Sequence, residues 1–179
     1  MCLEVLCGAR NGDQKGKGVE AYERAEAGRC QGTIVQPTPI PEAWTKPPAD
    51  FLKVNWDASV GGRQKRMGMG IAVRDQDGAL RAALCATKNF ITDPAMAEAV
   101  AAQKAVEVCL RLGLQKVILE GDALEVVNVF LNEEKWMGTY GNIIHEAKLQ
   151  LNSCCTEWNV QHVPRHCNEV AHAIAKMAF

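Results

Sequence analysis

The sequence predicts an α/β domain in which helices cover a mixed β-sheet. Three observations lead to this class. Three strand-length stretches follow one another with turns between them, an apolar helix comes next, and short strands then alternate with helices. The resulting order, β-β-β-α-β-α-α-β-α, joins a meander to a strand–helix–strand crossover. Such a chain needs both antiparallel and parallel strand pairs in one sheet.

The first three strands form the meander. Residues 51–57, FLKVNWD, alternate between apolar and polar side chains, which predicts a half-buried strand that ends at Asp57. After a glycine-containing turn, residues 69–74 form the second strand. The tetrapeptide 75–78, DQDG, is typical of a tight turn, and residues 79–88 complete the hairpins.

The remaining elements follow from helix punctuation and apolar runs. Pro94 opens a helix that runs to residue 112, and Gly113 is placed to cap its carboxyl end. Residues 116–120, KVILE, form a short apolar strand. Two helices, a fifth strand and a final helix are then predicted at residues 122–132, 141–152, 156–163 and 168–179.

The amino-terminal segment differs from the rest of the chain. Five of the seven prolines lie before residue 50, and the run QPTPIPEAWTKPP is typical of an extended, polyproline-like linker. Apolar periodicity is weak in this segment. We therefore divide the chain into a poorly structured segment and linker, residues 1–49, and a folded domain, residues 50–179.

Composition excludes several classes of protein. The net charge of −1 is not that of a polycationic nucleic-acid coat, and 47% hydrophobic residues argue against global disorder. No apolar run approaches the ~20 residues of a membrane helix, and no secretory signal is evident. We expect a monomer in the nucleus or cytoplasm, without a membrane partner, whose eight cysteines are reduced thiols.

Three carboxylates are candidate functional groups, although each also has a structural interpretation. Asp57 could initiate a turn. Asp122 could be a helix N-cap with Glu125 completing a capping box. Glu98 lies on the apolar face of the first helix, where a carboxylate is costly unless it is paired or binds a metal; its alternative is a favourable interaction with the helix dipole.

Taken together, the three carboxylates favour a metal site. They come from the first strand, the first helix and the end of the fourth strand, so they converge if the two strands are neighbours. Clustered carboxylates repel one another unless cations intervene, and Mg²⁺ prefers such hard oxygen ligands. Two such ions roughly 4 Å apart would promote cleavage of a phosphodiester.

The motifs KVNWDAS, GMGIAVRDQDG, AEAVAAQKAVEVCLRLGLQKVILEGDALEVV and WNVQHVPRHCNEVAHAIAKMA resemble a plant ribonuclease H-like domain. This is the type 1, reverse-transcriptase-associated branch, often found in retroelement-derived proteins. The resemblance covers residues 50–179 and implies a five-stranded mixed sheet flanked by helices. It also implies Mg²⁺-dependent endonucleolytic cleavage of RNA in an RNA–DNA hybrid, with Mn²⁺ as a possible substitute. Asp57, Glu98 and Asp122 match the family's metal-binding carboxylates.

The chain departs from the family at three places. His172 stands where the family has a fourth carboxylate, and its nitrogen is a weaker Mg²⁺ ligand. His172 could assist catalysis, or it could lie on a solvated stripe with Asn168 and Lys176. His166 is the nearest candidate for the family's mobile histidine. Residues 132–141 lack the basic protrusion that some ribonucleases H use to grip the duplex.

Candidate nucleic-acid contacts are few. Residues 50–179 carry 14 basic and 15 acidic side chains, so we expect modest affinity for phosphates. A basic cluster in the first hairpin turn, Asn89 after the third strand and Asn168 near the last helix are the candidates for contacting the nucleic acid. The cluster consists of Arg63, Lys65 and Arg66.

Two functions remain open at this stage. The intact carboxylate trio favours an active ribonuclease with Asp57, Glu98, Asp122 and His172 as catalytic residues. The histidine and the missing protrusion favour a catalytically weak or inactive nucleic-acid-binding or interaction module. An exonuclease of related fold is disfavoured because it would carry D-x-E where this chain has Asp57-Ala58-Ser59, and an integrase is disfavoured by the order D, E, D.

Overall fold

The computed structural model describes residues 43–61, 65–132 and 138–179. Within them, the elements follow the order predicted from the sequence. A single 3₁₀ turn, Arg165–Cys167, precedes the last helix. The elements are β1 Leu52–Gly61, β2 Arg66–Arg74, β3 Leu80–Asn89, α1 Pro94–Leu112, β4 Lys116–Gly121, α2 Leu124–Leu131, α3 Gly141–Cys154, β5 Glu157–His162 and α4 Glu169–Lys176.

The five strands form one mixed sheet in the order β3-β2-β1-β4-β5. The meander pairs β1 with β2 and β2 with β3, antiparallel in both cases. The crossover through α1 makes β4 a parallel neighbour of β1, and β5 adds parallel to β4. The predicted mixed sheet with flanking helices is confirmed.

The first strand is longer than its alternation predicts, and Asp57 lies inside it. β1 continues to Gly61, and Asp57 is paired with Gly70 of β2. Because the strand runs on through Gly61, Asp57 does not initiate a turn. The turn interpretation of Asp57 is therefore wrong.

The prediction of a half-buried β1 is also wrong, because both faces of the strand are covered. Val54 and Trp56 belong to the apolar core, and α1, which packs on β1, packs also against α3. The opposite face carries Lys53, Asn55 and Asp57, which are buried as well. Helix α4 packs against β1 and β2 and covers part of that face.

Two glycines let α4 approach the sheet closely. Directly paired residues of neighbouring strands point to the same face, so Gly70 shares its face with Asp57. A Cβ at Gly70 would collide with the carbonyl oxygen of Ala171, and one at Gly68 with that of Ala175. The glycines of the GMG motif therefore bring the α4 backbone close to the strand that carries Asp57.

The ends of the helices confirm one predicted cap and correct another. Asp93 caps α1 by accepting a hydrogen bond from the Met96 backbone at 2.7 Å, and Gly113 ends it at a φ of 63°. Helix α2 begins only at Leu124, and no side chain caps its start. The capping-box explanation of Asp122 is therefore wrong, because Asp122 precedes the helix.

Several predictions fall at or beyond the edges of the described residues. Arg63 and residues 133–137, most of the segment without a basic protrusion, lie outside them. The domain boundary at residue 50 stays a prediction, but Trp44 already contacts the domain through a hydrogen bond to Glu120. Over the described part of the chain, the helices are too short or too polar to cross a bilayer.

Candidate metal and nucleic-acid site

Asp57 and Asp122 meet because of the register of two parallel strands. Asn55 in β1 lies opposite Glu120 in β4. Asp57 follows Asn55 by two residues and Asp122 follows Glu120 by two, so both carboxylates lie towards the carboxyl ends of β1 and β4. In α/β sheets, ligands usually bind at the carboxyl ends of the strands, at the point where the strand order reverses. In this sheet that point lies between β1 and β4.

Glu98 joins the two aspartates from the second turn of α1. Its Oε1 accepts a hydrogen bond of 3.2 Å from the backbone nitrogen of Ala58 in β1. One carboxylate oxygen from each of Asp57, Glu98 and Asp122 lies within 4.8 Å of the others. We call these three residues the carboxylate cluster. The convergence predicted from the sequence is therefore present.

The electrostatics of the cluster reflect its negative charge and its partial burial. Burial, followed by the charges of Asp57 and Asp122, raises the pKa of Glu98 from 4.5 to about 8. Burial also raises the pKa of Asp57, against the lowering effect of a hydrogen bond to His172. In the absence of a cation, the cluster therefore tends to hold a proton at neutral pH.

The residues present fit a divalent cation. Asp57 Oδ1 and Glu98 Oε2 are buried oxygens that accept no hydrogen bond from the described residues. A buried acceptor without a partner is costly, and a metal ion would satisfy it. Three carboxylates also form the hard oxygen donor set that Mg²⁺ or Mn²⁺ prefers. Asp57, Glu98 and Asp122 could hold such an ion.

His172 lies beside the carboxylate cluster. Its Nδ1 is 3.0 Å from Asp57 Oδ2, and its side chain is 18% exposed. The solvated stripe with Asn168 and Lys176 is not formed, because Asn168 is fully buried. His172 thus lies in contact with one of the carboxylates, and its catalytic role stays a prediction.

Arg165 also lies at the site, although no sequence pattern singled it out. Its guanidinium contacts Asp122 Oδ2 at 3.2 Å and the ring nitrogens of His172 at 2.7 and 2.9 Å. The side chain is 60% exposed. A signal was present in the sequence, because Arg165 lies in the quoted segment WNVQHVPRHCNEVAHAIAKMA, seven residues before His172. Its neighbour His166 is exposed on the same 3₁₀ turn.

Beneath the carboxylate cluster lies a second group of polar side chains, which we call the polar layer. Its centre is Glu120, which is 0% exposed. Oε1 accepts from Lys53 Nζ and Gln161 Nε2, each at 2.6 Å. Oε2 accepts from Asn55 Nδ2 at 3.0 Å and Trp44 Nε1 at 2.9 Å. The layer comprises the buried residues Lys53, Asn55, Arg74, Glu120 and Asn168.

Asn168 belongs to this layer rather than to the surface. Its Nδ2 donates to the backbone oxygen of Trp56 at 2.7 Å, and its Oδ1 accepts from Asn55 at 3.1 Å. With no exposed surface and both groups bonded internally, Asn168 does not reach a nucleic acid in this structure. We correct its assignment from substrate contact to interior support of α4.

The other predicted contact residues lie where β2 begins and β3 ends. Arg66 is paired with Asn89, and the backbone oxygen of Lys65 accepts a hydrogen bond from Phe90 at 2.7 Å. Lys65 and Asn89 are exposed, and Phe90 is 85% exposed. The structure thus brings Lys65, Arg66 and Asn89 to one surface, while Arg63 lies outside the described residues.

Comparison with known sequences identifies a family. A family model described as reverse transcriptase-like matches residues 55–178, which is more than half of the chain. The matched stretch includes the carboxylate cluster, Arg165 and His172. A search of curated protein sequences found no match.

Several solved structures with the same fold are ribonucleases H. The RNase H1 of the halophilic archaeon Halobacterium salinarum is 23% identical, with a TM-score of 0.64 over 72% of this chain and 96% of that one. The N-terminal RNase H domain of Rv2228c from Mycobacterium tuberculosis is 19% identical, with a TM-score of 0.63 over 72% and 92%. LC11-RNase H1, isolated from compost, was solved with an RNA/DNA hybrid; it is 18% identical, with a TM-score of 0.62 over 71% and 95%.

Proposed function

The chain belongs to the reverse transcriptase-like family, and we propose on that premise that it is a metal-dependent endonuclease of the ribonuclease H type. It hydrolyses the RNA strand of RNA–DNA hybrids. One observation carries the proposal: three carboxylates from β1, α1 and the end of β4 converge within 4.8 Å. Two of their oxygens are buried and accept no hydrogen bond from the described residues.

Asp57, Glu98 and Asp122 hold Mg²⁺ in this proposal, with Mn²⁺ as a substitute. The bound cation supplies Lewis-acid stabilisation of the phosphodiester oxygens. Glu98 Oε1 is fixed by the Ala58 backbone, so Oε2 remains to face the cation. His172 contacts Asp57 through Nδ1 and is placed to accept or return a proton beside the cluster.

The proposed substrate contacts lie on two sides of the cluster. Arg165 is largely exposed and can exchange its contact with Asp122 for a phosphate oxygen. Lys65, Arg66 and Asn89 form the second contact at the β2–β3 end, where an amide could bond a 2′-hydroxyl, and Arg63 stays a contact predicted from the sequence. One structural relative was solved with an RNA/DNA hybrid, which supports this class of partner. A monomer of plant and retroelement origin, acting in the nucleus or cytoplasm, stays a prediction.

The test is cleavage of an RNA–DNA hybrid whose two strands carry different labels. Mg²⁺ or Mn²⁺ should support cutting of the RNA strand at internal positions, the DNA strand should stay intact, and EDTA should abolish the reaction. Single-stranded RNA and duplex DNA of the same sequence serve as control substrates. Cutting that persists in EDTA, or that requires a free end, would contradict the proposal.

One observation favours a second candidate, a nucleic-acid-binding module without turnover. The Arg165 guanidinium contacts both Asp122 and His172, so a positive charge already stands beside the carboxylates. His172 also replaces an anionic ligand with a nitrogen. Under this alternative, the hybrid binds with a steep salt dependence but remains uncut at any concentration of Mg²⁺ or Mn²⁺.

A further inference from the structure

The residues just before β1 close the polar layer from outside. Trp44 donates its indole Nε1–H to Glu120 at 2.9 Å, and Thr45 Oγ1 accepts from Lys53 Nζ at 3.1 Å. The Trp44 ring also lies over the Arg74 guanidinium, 3.5 Å from its carbon to the ring centroid. Pro47 is buried. We call residues 43–48 the amino-terminal strap.

The polar layer connects three of the elements that carry the candidate site, namely β1, β4 and α4. Asn55 precedes Asp57 by two residues in β1, and Glu120 precedes Asp122 by two at the end of β4. Asn168 begins α4, four residues before His172, and bonds to Asn55. Three members of the layer, Asn55, Glu120 and Asn168, therefore lie two residues or one helical turn before a site residue.

The strap contacts this layer at Glu120. The carboxylate of Glu120 joins β4 to β1 through Asn55, to β5 through Gln161 and to the strap through Trp44. Glu120 Oε2 receives Asn55 and Trp44, while Arg74 bonds the amide oxygen of Asn55 at 2.8 Å and stacks on Trp44. A single indole thus fixes both the carboxylate and the guanidinium that orient Asn55. Without it, Glu120 Oε2 and one face of Arg74 would be open to water at the side of the sheet.

We infer that Trp44 is a positioning residue for the candidate metal site, acting through Glu120 and Asn55 on Asp57 and Asp122. This inference rests on the proposed function, since it concerns the geometry of the same carboxylates. Groups that orient metal ligands change metal affinity as well as stability. The functional unit then begins at the strap, and the Trp44 indole N–H is the group that matters.

The experiment compares two Trp→Phe substitutions in the full chain. Trp44→Phe keeps an aromatic ring over Arg74 and removes the hydrogen bond to Glu120. Trp158→Phe is the matched control, because Trp158 Nε1 donates a similar bond of 3.0 Å to Asn152 on an exposed part of β5 and α3. Mn²⁺ affinity is measured by the electron-paramagnetic-resonance signal of free Mn²⁺, beside melting temperature and the separate values of kcat and KM for hybrid cleavage.

We expect Trp44→Phe to weaken Mn²⁺ affinity by about tenfold. This is the lower end of the loss in metal affinity that follows when a residue that orients metal ligands is replaced. We expect kcat to fall at saturating hybrid while KM changes little, and Trp158→Phe to leave all three values unchanged. Equal Mn²⁺ affinities in the two variants would overturn the inference, even if their melting temperatures differ. If the wild type binds Mn²⁺ without cutting the hybrid, the proposed function fails, and the affinity comparison still decides the role of Trp44.

Discussion

Two groups of charged side chains follow one another along β1 and β4, and they differ in how completely they are bonded. In the polar layer, Glu120 accepts from four donors at 2.6 to 3.0 Å. In the carboxylate cluster, Asp57 Oδ1 and Glu98 Oε2 accept no hydrogen bond from the described residues. Both groups are largely inside the protein.

The difference separates a structural role from a functional one. A buried carboxylate surrounded by four donors has no capacity left for a ligand. Burial, followed by the charges of Asp57 and Asp122, raises the pKa of Glu98 in the carboxylate cluster, and a cluster with open oxygens gains free energy when a cation binds. Removal of one charge should therefore have opposite effects on folding stability in the two groups.

The largest effect is expected for activity. Asp57→Asn removes one ligand and one negative charge from the cluster, so metal-dependent cleavage should fall by at least ~1000-fold, or about 4 kcal/mol of transition-state stabilisation. The stability of the metal-free protein should hold or rise, because the desolvation of a buried charge and its repulsion from Asp122 are relieved. Asp77→Asn, in the exposed 75–78 turn, is the control for the same chemical change. Undiminished hydrolysis by a contaminant-free Asp57→Asn preparation would remove Asp57 from the catalytic set.

The next largest effect is a loss of folding stability in the polar layer, whereas Asp57→Asn should maintain or increase it. Glu120→Gln leaves the buried Lys53 ammonium without its carboxylate and turns an amide donor towards other donors. It should cost about 3 kcal/mol of unfolding free energy in urea. The matched control is Glu157→Gln at the exposed pair with Lys116, where the atoms are 4.0 Å apart and the cost should stay below about 0.5 kcal/mol. Equal costs for the two substitutions would show that the polar layer is not a structural centre.

Periodicity alone predicted the elements but not the coverage of β1. The alternation of FLKVNWD correctly identified a strand, and the apolar side chains Val54 and Trp56 do form core. The polar residues Lys53 and Asn55 looked solvent-exposed because alternation does not report what packs on the second face. Helix α4 and the strap cover that face, and their polar partners come from residues up to 113 positions away.

The site was predictable where it depends on strand order and not where it depends on side-chain contacts. Once β1 and β4 are neighbours with Asn55 opposite Glu120, the residues two positions further along each strand must lie close together. This places Asp57 near Asp122. No such rule predicts that Arg165 turns back onto Asp122, or that Trp44, in a proline-rich segment, donates to Glu120. The apolar setting of Glu98 was the strongest sequence signal, because an unpaired carboxylate there requires an explanation.

The pH dependence of stability tests the cluster in the metal-free protein. Glu98 has a folded-state pKa of about 8 against an ordinary 4.5, so the folded state holds a proton that the unfolded state has released. Its contribution to stability is therefore complete below about pH 4.5 and is lost as pH rises towards 8, with a slope of up to about 1.4 kcal/mol per unit. Asp57, whose pKa is also raised, acts in the same direction.

Urea unfolding in EDTA between pH 5.5 and 8 measures this slope. Glu98→Gln should flatten it and should be more stable than the wild type at pH 8. Glu107→Gln, which removes a half-exposed carboxylate from the same helix, should leave the slope unchanged. A wild-type stability that rises across this range would show that Glu98 is ionised in the metal-free protein.

The smallest effect is expected at His172, where the cluster has a nitrogen in place of a fourth carboxylate. His172→Asp would supply a hard anionic oxygen beside Asp57, so the Mg²⁺ concentration for half-maximal cleavage should fall by about threefold to tenfold, or up to ~1.4 kcal/mol. His172→Asn is the neutral control of similar size.

In the wild type, Mn²⁺ should support more activity than Mg²⁺, because it accepts nitrogen ligands more readily. Arg165 would pair with the new carboxylate and reduce the gain, so His172→Asp is also measured with Arg165→Gln. If the metal dependence is unchanged by His172→Asp while His172→Ala destroys activity, then His172 is itself a catalytic group, and its hydrogen bond to Asp57 serves proton transfer rather than metal binding.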